Sequence, residues 1–165
     1  MESGHALAIL RSLILIGAAN GAPVVFARLL GTRFARPIDG GIVLRDGYPL
    51  FGRSKTWRGL VAAVIVAAFA AVLIDLPWQA GALTGASAMA GDCLSSFVKR
   101  RLALDASSMS LGLDQVPESL FPAVACSAYL PIGPGDVIVI VLTFSVGVLA
   151  MSRVFYAVGL RDRPY

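Results

Sequence analysis

The sequence is poor in charged residues, histidine and cysteine. Charged residues make up 15% of its 165 residues, whereas a soluble domain usually carries about a quarter. Because apolar residues reach 57%, much of the surface must face a solvent other than water. His5 is the single histidine, and Cys93 and Cys126 match no metal-binding or redox spacing. These shortages argue against a soluble domain, a histidine–cysteine metal centre and a serine nucleophile activated by histidine.

Five stretches contain no charged residue, and each is about 16 residues long or slightly longer. Because a helix needs roughly 20 residues to cross a bilayer, polar residues must complete the ends of these spans. Pro77, Pro131 and Pro134 indicate tight turns between neighbouring spans. We therefore predict an all-α integral membrane bundle of about five transmembrane helices, folded as a single membrane-embedded domain. The predicted spans lie near residues 7–30, 59–76, 77–98, 116–131 and 135–156.

The net charge of +4 lies in clusters that flank the apolar spans, so we attribute it to membrane topology and not to nucleic-acid binding. With five spans and an outside N-terminus, every basic residue except Arg11 lies on the cytoplasmic side. This predicts a plasma-membrane protein whose C-terminus and functional loops are cytoplasmic. The loop at residues 31–58 is rich in glycine and proline, which predicts an irregular segment with a short strand at residues 42–44 and a turn at Asp46 and Gly47.

One face of the third span mixes small and ionisable residues. Small residues at helical spacing let a neighbouring helix approach closely. Asp92 lies about one and a half turns inside the cytoplasmic end, and an ionisable residue at such depth marks a candidate functional site. The alternative is that Asp92 only pairs with Lys99 or Arg100. The face comprises Gly81, Gly85, Ala88, Asp92, Ser96 and Lys99.

In the first span, Gly17 and Gly21 have the same small-residue spacing, which predicts a close helix contact there as well. Asn20 lies between them and needs a hydrogen-bond partner inside the membrane. That partner is either a neighbouring helix or a substrate group, and the sequence leaves both interpretations open.

More acidic residues precede the fourth span, where Asp114 is followed by Gln115 and, one turn later, by Glu118. Carboxylates at a membrane boundary with cations between them suit Mg²⁺ and a polyphosphate. Mg²⁺ prefers carboxylate oxygens and shares its coordination shell with substrate phosphates. The alternative is that these carboxylates are merely solvated.

Residues 51–59 carry three cations and two hydroxyls, a composition that suits phosphate binding. Gly52 lies too close to Lys55 and Thr56 for a Walker phosphate loop. The alternative is a basic cluster at the membrane edge that binds anionic headgroups, with Trp57 as an interfacial anchor.

Taken in order, these residues resemble the CDP-archaeol synthase family, which is related to the CDP-diacylglycerol synthases. The resemblance runs from Asn20 to about Pro122, and the five-span layout agrees with it. Its motifs are specific only in combination, through their order and spacing. They are Asn20 with Pro23; Pro37-Ile38-Asp39-Gly40-Gly41; Asp46-Gly47 with Pro49; Phe51-Gly52 with Lys55-Thr56-Trp57-Arg58-Gly59; Gly91-Asp92 with Ser95-Ser96-Phe97 and Lys99-Arg100-Arg101; and Leu113-Asp114-Gln115.

In the wider CDP-diacylglycerol synthase family, a Ser-x-x-Lys-Arg stretch precedes a paired-aspartate motif that helps to hold metal ions. Ser96, Lys99 and Arg100 match the first part, and Asp114 matches one aspartate of the second. Residues 111–116 lack the His-Gly-Gly and the second aspartate of that motif. This departure resembles the archaeal-type branch and leaves the number of metal ions open.

The resemblance implies a cytidylyltransferase that joins CTP to a membrane lipid phosphate and releases pyrophosphate, without a protein nucleophile. It implies Mg²⁺ held by Asp92 and Asp114, and catalysis by these two residues with Lys99. The lipid, either an isoprenoid ether or an acyl phosphate, and the oligomeric state stay open. The implied substrate-binding residues are Asn20, Asp39, Lys55, Thr56, Arg58, Ser96 and Arg100.

Two alternatives stand beside this interpretation. A CTP-dependent polyprenol or phytol kinase would transfer the γ-phosphate and release CDP. A non-catalytic transport or scaffold subunit would use its basic loops to bind anionic lipids, and it would tolerate Asp92→Asn.

Overall fold

The computed structural model of the chain describes residues 2–104 and 112–157. Arg161 and Arg163, which the predicted topology places on the cytoplasmic side, lie outside the described residues. The described segments form five helices, which confirms the all-α class and the number of helices. They are α1 (Glu2–Leu30), α2 (Trp57–Leu73), α3 (Trp78–Arg101), α4 (Gln115–Cys126) and α5 (Pro134–Ala157).

The helices differ in their ability to cross a bilayer alone. Apolar segments of 27 and 20 residues in α1 and α5 are long enough to span it, whereas α2 is a shorter apolar helix. With 12 residues, α4 is only about 18 Å long. It ends at Cys126, before Pro131, and a series of turns follows in which the N–H of Leu130 donates to the carbonyl of Cys126 at 2.9 Å. These turns satisfy the backbone groups that the short helix leaves without partners.

Glycine brings α3 against both of its neighbours. A Cβ atom on Gly81 would lie 2.0 Å from the carbonyl oxygen of Ala67 in α2, and one on Gly91 would lie 2.1 Å from that of Pro117 in α4. The close contact predicted for α3 is therefore present. The contact predicted for Gly17 and Gly21 is not found among the described residues, since none of them lies within 4 Å of a Cβ atom at either position.

The glycines of α1 face away from the bundle because other residues form its packing face. Leu15, Ile16 and Ala19 are fully buried and recur at helical spacing. Through this face α1 contacts each of the other four helices. Much of the core is alanine, as expected where helices pack closely in lipid.

The connection from α1 to α2 folds back on itself without forming a regular strand. Leu44 donates to the carbonyl of Tyr48, and Leu50 donates to that of Ile42, both at 2.9 Å. The turn between them contains Asp46 and Gly47, as predicted. The predicted strand at residues 42–44 is reduced to an isolated bridge between Val43 and Pro49, because proline has no N–H with which to extend a ladder.

Arg101, at the end of α3, attaches this loop to the bundle. Its guanidinium forms an ion pair with Asp46 and donates to the carbonyl oxygens of Tyr48 and Pro49. The guanidinium carbon also lies 5.3 Å from the centre of the Phe97 ring. The loop is therefore held over the end of α3 that carries the candidate site.

Candidate active site

Two ion pairs lie along one face of α3. Lys55, from the loop before α2, contacts Asp92 at 2.5 Å. Lys99 contacts both carboxylate oxygens of Asp114 at 3.0 Å, just before α4. Since Asp92 and Lys99 are seven residues apart, the two pairs are about 10 Å apart along the helix axis. The side chains of all four residues are at least three-quarters buried.

The observed partner of Asp92 differs from the partners that the sequence suggested as an alternative, Lys99 and Arg100. Asp92 pairs with Lys55, 37 residues away, and not with Lys99 or Arg100 from its own helix. Asp92 and Asp114, both predicted to hold a metal ion, each lie against a different lysine. Their predicted role as metal ligands stays a prediction.

Glu118 is the carboxylate that the sequence-based prediction left out of the site. Its carboxyl group lies beside Asp92 at the same cavity, close enough to interact electrostatically with Asp92, Lys55 and Asp114. The contact exists because α3 and α4 touch at Gly91 and Pro117, the residues that directly precede Asp92 and Glu118 in the sequence. Glu118 therefore interacts with both acidic positions recognised in the sequence, Asp92 on α3 and Asp114 before α4.

A cavity of about 530 Å³ opens beside Asp92 and Glu118. It is bordered by α1, the loop before α2, α3 and α4, so Lys55 of the loop and Arg28 of α1 share the cavity with carboxylates from α3 and α4. Its polar lining residues are Asn20, Arg28, Ser54, Lys55, Asp92 and Glu118. Of these, Arg28, Ser54 and Glu118 had not been predicted as site residues.

Asp39 organises the loop that carries Lys55. Its carboxylate accepts hydrogen bonds from the backbone N–H groups of Gly41, Phe51 and Gly52 at 2.9–3.0 Å. Burial opposes ionisation of Asp39, but donation from these three N–H groups outweighs it and lowers the pKa below its ordinary value. Asp39 thus stabilises the fold of the loop, while its predicted contact with substrate stays untested.

Other predicted residues have structural partners. The side chain of Thr56 accepts from the N–H of Gly59 and caps α2. Arg58 donates to the carbonyl oxygens of Gly31 and Arg33 at 2.9 and 2.7 Å, away from the cavity at Asp92.

The remaining predicted residues lie on the last two turns of α3. Arg100 donates to the carbonyl of Leu104 at 2.7 Å, and its Nε lies beside Gly52. Ser96 is buried one turn beyond Asp92. The hydroxyl of the neighbouring Ser95 donates to the carbonyl of Asp92.

The helical bundle and the buried lysine–carboxylate pairs beside a cavity are the arrangement of an intramembrane enzyme. Comparison with known proteins gives its family. The family model described as CarS-like, CDP-archaeol synthase, matches residues 7–165. The chain belongs to the CDP-archaeol synthase family, as predicted from its motifs.

Individual relatives cover most of the chain. A CDP-archaeol synthase of Hyperthermus butylicus is 37% identical over 142 residues, which cover 82% of this chain and 80% of the relative. One of Methanopyrus kandleri is 32% identical over 155 residues, covering 87% and 88%. A solved intramembrane enzyme for archaeal membrane lipids biosynthesis is 31% identical, with a TM-score of 0.72, over 88% of this chain and 90% of that one. These likenesses support the cytidylyltransferase over the lipid kinase and the non-catalytic subunit.

Proposed function

We propose that the chain catalyses a Mg²⁺-dependent reaction of CTP with an isoprenoid ether lipid phosphate, at the cytoplasmic face of the membrane. The observation that carries this proposal is the contact of Lys55, Asp92 and Glu118 at the wall of an intramembrane cavity. The ether lipid is proposed because the relatives are CDP-archaeol synthases. The cytoplasmic location is proposed from the basic residues that surround the site.

In the proposed reaction, an oxygen of the lipid phosphate forms a bond to the α-phosphorus of CTP. The bond from that phosphorus to the oxygen bridging to the β-phosphorus breaks, and pyrophosphate leaves with its electron pair. Lys55 and Lys99 bind the phosphate oxygens and offset the charge that develops on them. The remaining contribution of the protein is to hold both substrates in line.

No side chain is needed as a nucleophile, since the attacking lipid phosphate is already an anion. Ser95 lies near Asp92, but its hydroxyl donates to a backbone carbonyl. His5 is hydrogen-bonded to Asp136 at the N-terminal end of α5, whereas the site lies beside α4 and the C-terminal half of α3. A histidine that activates Ser95 or Ser96 is therefore lacking at the site.

The carboxylates present fit a magnesium ion that is shared with substrate. Among residues 2–104 and 112–157, no three His, Cys, Asp or Glu side chains converge as a complete metal site. Mg²⁺ is usually bound through one or two carboxylates together with water and substrate phosphates. Asp92 and Glu118, with Asp114 nearby, would hold it, and the ion would neutralise charge on the leaving pyrophosphate.

An apolar groove between α1 and α2 suits the chains of the lipid substrate. It has a volume of about 1160 Å³ and lies where the loop leaves the bundle. Apolar residues of both helices line it, and Arg36 and Arg58 provide positive charge at its loop end. We propose that the hydrocarbon chains lie in this groove, which would bring the lipid phosphate to the loop.

The test is turnover of labelled CTP by purified protein with Mg²⁺ and either a lipid phosphate or the corresponding lipid alcohol. We expect a labelled CDP-lipid and pyrophosphate from the phosphate only. In Asp92→Asn, which keeps the shape of the side chain but removes its charge, turnover should fall by about 100-fold or more. The matched control is Asp75→Asn, the same change at a turn between α2 and α3, and it should leave turnover unchanged.

Two results would count against the proposal. Near-normal turnover in Asp92→Asn would remove Asp92 from the site. Release of CDP from the lipid alcohol would instead indicate a kinase.

A further inference from the structure

Pro122 leaves a backbone carbonyl of α4 without its helical donor. In a regular helix, the N–H of residue 122 would donate to the carbonyl of residue 118, but proline has no N–H. Pro122 lies inside α4, so the carbonyl of Glu118 lacks this bond. The carbonyl of Glu118 lies in a part-buried contact, where an unpaired backbone acceptor is costly, so another donor is needed at this position.

Asn20 of α1 provides that donor. Its Nδ2 atom lies 3.4 Å from the carbonyl oxygen of Glu118 and 3.1 Å from that of Ile16 in its own helix. Both partners are acceptors, so the nitrogen of the amide must face them. The two N–H groups of Asn20 are thereby used within the protein, and donation to a nucleotide would require breaking one of these bonds.

The bond to Glu118 acts at the residue that contacts Asp92. Asn20 holds the main chain of α4 where the Glu118 side chain reaches Asp92. Gly91 sets how closely α3 and α4 approach, while Asn20 ties the same turn of α4 to α1. We propose that Asn20 is a positioning residue that replaces the hydrogen bond removed by Pro122 and thereby fixes Glu118, and that it is not a nucleotide ligand.

This inference rests on the proposed function of the Asp92–Glu118 pair, and a double substitution tests it. Asn20→Ala removes the donor and should lower kcat by about 5- to 30-fold, the effect of one unpaired buried group, with little change in KM for CTP. Pro122→Ala restores an N–H to α4 and should alone leave turnover close to normal. Together, the two substitutions should recover most of the activity lost in Asn20→Ala, because the restored N–H can donate to the carbonyl of Glu118.

A nucleotide-binding role for Asn20 gives a different result. Asn20→Ala would then raise KM for CTP, and Pro122→Ala would restore nothing. Either observation overturns the inference. If Pro122→Ala does not fold, Pro122→Ser also supplies the N–H, and recovery of the thermal unfolding midpoint gives a second readout that must show the same rescue.

Glu118→Gln separates this inference from the function on which it rests. If Glu118→Gln has normal activity, the proposed carboxylate pair is wrong. If Glu118 is essential but the double variant shows no rescue, only the role of Asn20 is wrong.

Discussion

The Asp39 carboxylate accepts three backbone hydrogen bonds, and its protonation makes the stability of the loop depend on pH. Its pKa is lowered in the folded protein, so its contribution to stability is complete above the pKa of the unfolded chain, about 3.9. That contribution is lost as the pH falls through the lowered pKa of the folded state. Acid should therefore release the loop that carries Lys55.

We predict that Asp39→Asn destabilises the protein at pH 7 by about 1.5–3 kcal/mol, the effect of losing a hydrogen bond to a charged group. The measurement is the thermal unfolding midpoint in detergent at pH 7 and at about pH 3. The difference between wild type and variant should shrink at the acidic pH. Asp75→Asn, at the turn between α2 and α3, serves as the control, and an equal difference at both pH values would contradict the prediction.

Residue types alone indicated much of the site, but not its pairings. Asp92, Lys99 and Asp114 were recognisable because charge is rare in an apolar chain. The partner of Asp92 was not, since Lys55 is brought to it by the path of a glycine-rich loop that has no periodicity to predict. Glu118 was noticed only as a neighbour of Asp114, because its contact with Asp92 depends on how closely two helices approach.

At the scale of the helices, the close approach of α3 and α4 at the site depends on Gly91. A Cβ atom at Gly91 would lie 2.1 Å from the carbonyl oxygen of Pro117, so α4 must move if any side chain is present. At Gly17, no residue in the described part of the chain lies within 4 Å of such an atom, so Gly17 serves as a matched helical glycine outside a close contact.

We predict that Gly91→Ala destabilises the protein by about 1–3 kcal/mol through overpacking and lowers turnover by separating Asp92 from Glu118. Gly17→Ala should be neutral or slightly stabilising, because alanine is the better helix former. Thermal unfolding and CTP turnover of both variants check this. Equal behaviour of the two would mean that the approach of α3 and α4 does not control the site.

The five helices were predictable because charge-free stretches reveal them directly. Their ends were less so, since α4 ends at Cys126 within an apolar run that continues to residue 135. The packing face of α1 was also not predicted, because the spacing of small residues was the only evidence for it. Gly17 and Gly21 have the spacing of a contact, but Leu15, Ile16 and Ala19 form the face that packs.

At the scale of the whole molecule, the basic residues predict the orientation in the membrane. A reporter inserted at Gly47, in the loop between α1 and α2, should report a cytoplasmic location. One inserted at Pro77, between α2 and α3, should report the opposite side. The same signal at both sites, or exchanged signals, would refute the predicted orientation.

Each of the two site lysines is already paired with a carboxylate before any ligand arrives. A triphosphate that takes Lys55 and Lys99 for itself would leave two carboxylates uncompensated, and a divalent cation alone would leave two ammonium groups in the same position. When the triphosphate and the cation bind together, each lysine exchanges its carboxylate for a phosphate, and each carboxylate exchanges its lysine for the cation. Each ligand would therefore strengthen the binding of the other, and thermodynamic linkage makes that gain equal in both directions. Such a protein would discriminate against free CTP and against the free cation by the same free energy.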